Sequence, residues 1–71
     1  MSSAKRLAFY ARLQVGDEVY WNDPDEGRAS GFGKIVSFEI EEGQTEVDDD
    51  TVIWLQMNSG SDAQVYAREL A

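Results

Sequence analysis

The chain of 71 residues has no cysteine and no histidine. The first absence excludes disulfides and thiolate metal sites. The second removes the commonest metal ligand, the usual general base near neutral pH, and every Ser-His or Cys-His nucleophile pair. Long apolar runs are missing as well: the longest, residues 7–11, is far shorter than a membrane span or a signal-peptide core. The chain therefore reads as soluble and cytoplasmic. Positive charge is scarce, with six Lys and Arg against fourteen Asp and Glu and a net charge of −8. Such a surface repels the phosphate backbone and argues against direct nucleic-acid binding and membrane association, while suiting a basic partner. One domain fits in this length, and it buries only about 60% of the surface its unfolded chain exposes. A homo-oligomer that shares apolar surface between copies is the natural remedy.

What is present is organised around residues 15–21, Val-Gly-Asp-Glu-Val-Tyr-Trp. A Gly-Asp turn leads into an alternation that sets Val19 and Trp21 on one side of a short strand and Glu18 and Tyr20 on the other. Before it, residues 1–13 form an N-terminal helix or arm. Ser2 and Ser3 are available as caps, Leu7, Tyr10 and Ala11 share one stripe, and half of the chain's basic residues lie here. Residues 14–71 form the domain proper.

Asn22 to Gly27 is turn-forming in composition. Its carboxylates Asp23, Asp25 and Glu26 lack the spacing of a calcium loop and read as solvated. A second strand over residues 34–40 places Val36, Phe38 and Ile40 on one face, with Gly31 and Gly33 supplying a bulge or bend. Residues 41–50, rich in carboxylates, read as a long, mobile and solvated hairpin loop. Residues 51–57 form the clearest strand, with Ile53, Leu55 and Met57 on one face and Val52, Trp54 and Gln56 on the other. A turn at residues 58–61 returns the chain through residues 63–67, and a tight turn tucks Leu70 against the core. The expected core is Val19, Trp21, Val36, Phe38, Ile53, Leu55 and Val65. Four to five short antiparallel strands with a short N-terminal helix make an all-β protein, a small barrel or curled sheet.

The outward residues carry what chemistry there is. Trp54 and Gln56 lie on a strand hairpinned to Gln64 and Tyr66, so the four form one patch, which Tyr20 extends. Rings that stack and amides that donate and accept suit a protein partner or a second copy. As catalytic equipment the patch is poor, because its only titratable neighbours are Tyr20, Tyr66, Lys34 and Glu18. The leading reading is a non-enzymatic interaction module with no catalytic residue, metal or cofactor. A separate reading makes residues 41–50 an acidic decoy for a basic partner.

The residues 15–21, 33–36, 63–66 and 69–70 together resemble SH3-like small barrels, particularly KOW- and Tudor-type bacterial modules, over about residues 13–70. A narrower resemblance is to the plasmid-type trimethoprim-resistant dihydrofolate reductases, SH3-like proteins that assemble as tetramers around a shared pore. It is carried by Ala63-Gln64-Val65-Tyr66, the preceding Gly60-Ser61, Gly16-Asp17 and Ile35-Val36. That resemblance implies an alternative function, an NADPH-dependent reductase with Gln64, Val65 and Tyr66 lining the pore. The basic residues that follow the first strand in that family are replaced here by Trp21-Asn22 and an acidic loop.

Overall fold

The computed structural model describes residues 4–25, 27 and 29–71. Its elements are helix α1 (Ala4–Ala11), strands β1 (Glu18–Trp21), β2 (Gly31–Glu39), β3 (Val52–Met57) and β4 (Asp62–Tyr66), and a 3-10 turn (Ala67–Glu69). The strands form one antiparallel sheet in the order β1-β2-β3-β4. The chain is thus mostly β with a short N-terminal helix. Ser2, Ser3, Glu26 and Arg28 lie outside the described residues. Among the described residues no helix is long and apolar enough to cross a membrane.

β2 begins earlier than its sequence suggests, and its bulge sits elsewhere. Gly33 pairs with Met57 and Ile35 with Leu55, but the next partners are Ser37 and Trp54, so Val36 is an extra residue in β2. One inserted residue reverses the facing of everything after it. Gly33 and Ile35 therefore face the core before the bulge, and Phe38 leans against it afterwards. Val36, expected inside, is 52% exposed, and Ile40 is exposed beyond the strand. Gly31 and Gly33 are ordinary strand positions. At Gly33 a Cβ would come within 2.9 Å of Met57 Sδ and 3.0 Å of the Gln56 carbonyl oxygen, so only glycine fits against β3 there.

The buried set is Tyr10, Val19, Ile35, Ile53, Leu55, Met57, Val65, Ala67 and Leu70, with Trp21 and Phe38 half-buried against it. Four of the expected core residues, Val19, Ile53, Leu55 and Val65, are fully inside. Each large aliphatic chain so buried contributes about 2 kcal/mol of transfer free energy. Leu70 reaches the core because residues 69–71 lie along β1. Trp21 bridges to Leu70, Ala71 and Tyr20 exchange backbone bonds of 2.8 and 3.4 Å, and Asn22 N–H donates to Glu69 O at 2.9 Å. The edge of β1 away from β2 is thereby covered, and the Trp21 indole N–H donates to Glu69 Oε1 at 3.1 Å.

The β3–β4 hairpin is closed by a tight turn. Gly60 N–H donates to Met57 O at 2.9 Å and Met57 N–H to Ser61 O at 2.7 Å. Gly60 has φ of +97°, a conformation that glycine adopts without the cost borne by residues with a Cβ. This turn fixes the pairing of Trp54 with Gln64.

Helix α1 is too short to be stable alone. It is held by Tyr10, whose ring is buried and whose hydroxyl donates to Asp49. Arg6 donates to Tyr10 Oη at 3.2 Å and to Ala67 O at 3.1 Å, and its guanidinium lies 5.0 Å from the Tyr10 ring centre. The helix thus joins the loop before β3 to the 3-10 turn after β4. Leu7, on the expected stripe, is exposed.

Burial pushes the Tyr10 phenol above its ordinary value of 10.0, and the bond to the Asp49 carboxylate raises it further against the opposing effect of Arg6. Since the native state holds this proton more tightly than the unfolded chain, the contribution is complete below pH 10 and is lost as pH rises through the native value. Tyr10→Phe should cost about 1.5 kcal/mol at neutral pH and flatten the loss of stability above pH 10, read from urea unfolding across pH. Gly33→Ala should destabilise by about 1–3 kcal/mol in the same assay, because its methyl group meets β3 backbone.

Candidate functional site

The side of the sheet opposite the core is open to solvent, and four large apolar side chains stand on it: Phe32, Val36, Trp54 and Tyr66. The cross-strand register assembles them. Tyr20 pairs with Phe32, Lys34 with both Glu18 and Gln56, Ser37 and Gln64 flank Trp54, and Glu39 and Tyr66 flank Val52. Since residues two apart share a face, all five expected site residues, Trp54, Gln56, Gln64, Tyr66 and Tyr20, fall on this one side. Trp54 and Gln64 are directly opposite each other. Tyr20 lies at the hairpin end, two strands from Trp54, with its ring packed edge-on against Phe32 at 5.1 Å between centres. Among the expected pore residues, Gln64 and Tyr66 are exposed here, whereas the Val65 side chain is buried in the core.

Trp54 is 36% exposed and does not swing freely. Its indole N–H donates to Glu39 Oε1 at 2.9 Å, and Gln64 Nε2 approaches the same oxygen at 3.5 Å. One carboxylate on β2 therefore orients a ring on β3 and an amide on β4. Beside the ring is a shallow depression of about 190 Å3 lined by Val36, Ser37, Trp54, Leu55 and Asp62. At the far end of the face, the Arg68 guanidinium lies 4.3 Å from the centre of the Tyr66 ring and pairs with Asp50 at 2.7 Å.

Glu39, Phe32 and Val36 are the residues the sequence did not single out. Extending the alternation of Val36, Phe38 and Ile40 back through Gly31 sets Phe32 on the core side, so its place beside Tyr20 follows only from the bulge. The same holds for Val36, whereas Glu39 falls on the outer side by that alternation and is masked instead by the acidic run it begins.

The acidic loop borders this face and carries its own hydrogen-bond network. The buried Thr51 hydroxyl accepts from Asp48 N–H at 2.9 Å and from Gln44 Nε2 at 2.8 Å. Gln44 also donates to Glu46 O at 2.7 Å and accepts from Glu41 N–H at 3.2 Å. The carboxylates of Glu39, Glu41, Asp48 and Asp50 surround a cleft of about 550 Å3 beside the sheet. Among the described residues no group of three or more carboxylates is placed to hold a metal ion. Asp23 in the other acidic loop binds its own backbone, accepting from Asp25 and Ala29 N–H at 2.9 and 3.0 Å.

The arrangement sets rings, amides and carboxylates side by side on one face of the sheet, groups that can stack and hydrogen-bond. Comparison with protein-family models, curated proteins and solved structures gives no match.

Proposed function

We propose that this protein is a small SH3-like barrel acting as a non-enzymatic interaction module, with the outer face around Trp54 as its docking surface for a protein partner. The barrel reading is supported by the run of residues 69–71 along β1, which carries backbone pairing from the end of β4 round to the first strand. The observation that carries the function is the one-sided sheet: helix α1 and the C-terminal turn cover one side, while Phe32, Val36, Trp54 and Tyr66 stay exposed on the other. Clustered exposed aromatics, surrounded by polar groups, are characteristic of interaction sites. The preset orientation of Trp54 by Glu39 reduces the ordering cost of binding.

Labelled protein should capture a subset of an array of random peptides, and Trp54→Ala and Tyr66→Ala should lose that subset while melting within a few degrees of the parent. Equal capture by parent and variants contradicts the docking surface. So does a tetramer in light scattering whose tryptophan fluorescence responds to NADPH, which would favour a shared-pore reductase.

A further inference from the structure

We propose that the outer face receives a basic polypeptide segment, one of whose arginine or lysine side chains stacks on Trp54 and pairs with Glu39. This identifies the chemistry of the partner and rests on the docking reading above.

The first support is a cation already seated on this surface. Arg68 lies over the Tyr66 ring at 4.3 Å while Asp50 accepts its charge at 2.7 Å. Ring face plus carboxylate is the combination that binds a guanidinium or ammonium group. The pair is solvent-exposed on both sides, so it is weakly held and open to exchange with a partner's side chain.

Trp54 and Glu39 repeat the combination one row along the sheet. Glu39 uses Oε1 for the Trp54 indole and for Gln64, and among the described residues Oε2 has no hydrogen-bond partner. Ring and carboxylate are fixed relative to each other, with the depression beside Val36 and Asp62 adjoining them. No cation of the described residues occupies this second position.

Charge is partitioned in the same sense. Lys5, Arg6 and Arg12 lie in or just after α1, on the covered side, and no acid precedes Asp17. Residues 14–71 therefore hold all fourteen acids with only three basic residues. Among the described residues, Glu18, Glu39 and Asp62 stand on the outer face and Glu41, Asp48 and Asp50 beside it, against Lys34 and Arg68. This potential attracts a basic segment, and like charge opposes a second copy, which brings another −8 to the interface.

The test uses the full chain and fluorescein-labelled nine-residue peptides in a Gly-Ser background, one with four arginines, one with four glutamates and one with four leucines. Binding is read by anisotropy at low salt, alongside light scattering and melting. The arginine peptide should bind and the glutamate peptide should not. Trp54→Ala should weaken binding about tenfold, and Glu39→Gln, which keeps an acceptor for the indole, about threefold. Glu42→Gln, removing the same charge from the exposed loop, should change it less than twofold. The proposal is overturned if the arginine peptide does not bind. It is also overturned if all three variants weaken binding alike, which means diffuse attraction. Equal binding of the leucine peptide, lost in Trp54→Ala, keeps the docking surface and rejects a cationic partner. A dimer that excludes the arginine peptide assigns the face to a second copy.

Discussion

The single extra residue at Val36 governs how the two faces of this protein are sorted. β2 is the longest strand and pairs with β1 along its first half and with β3 along most of its length. A regular strand of this length would send Ile35 and Phe38 to opposite sides. The bulge lets both serve the core, with Val36, the inserted residue, outside beside Trp54. It also places Glu39 on the outer side, where its carboxylate meets the indole. Core, exposed face and fixed tryptophan thus follow from one local irregularity.

A chain of this size can cover only one side of a four-stranded sheet. The covering comes from both ends of the sequence, Tyr10 from the helix and Leu70 from the C-terminal turn. Asp49 ties them to the acidic loop, accepting from the Tyr10 hydroxyl through its side chain and from Arg68 N–H through its carbonyl. The loop next to the open face is therefore built into the fold, with Thr51 and Gln44 satisfying its backbone. Leaving the other side bare costs apolar exposure, which the proposed docking role would account for.

The strands were readable where local chemistry decides them. Residues of β3 are β-branched and aromatic, and the Asn58-Ser59-Gly60-Ser61 turn sets the β3–β4 register, so the grouping of Trp54, Gln56, Gln64 and Tyr66 on one side follows from alternation. The phase of β2 is not readable, because periodicity does not reveal where an inserted residue interrupts it, and simple alternation therefore sets Val36 in the core with Phe38. Tyr10 shared a stripe with Leu7, and only a contact with Asp49, 39 residues away, distinguishes the buried one from the exposed one. Glu39 was hidden for a related reason: beside a run of carboxylates it looks like the start of a solvated loop. The proposed cationic partner follows only from rings and carboxylates seen together, since neither an exposed tryptophan nor an acidic segment identifies a ligand alone.

The sorting of faces by the bulge is tested most directly by comparing thermal unfolding of Ile35→Asp, Val36→Asp and Phe38→Asp, since Ile35 and Phe38 share a side only with one residue inserted between them. With the bulge in place, Val36→Asp should stay within about 1 kcal/mol of the parent, while Ile35→Asp and Phe38→Asp, each placing a carboxylate against the core, should each lose at least ~2 kcal/mol or fail to fold. Damage from only one of Ile35→Asp and Phe38→Asp would mean that β2 runs without the bulge and that Val36 and Glu39 do not share the outer face.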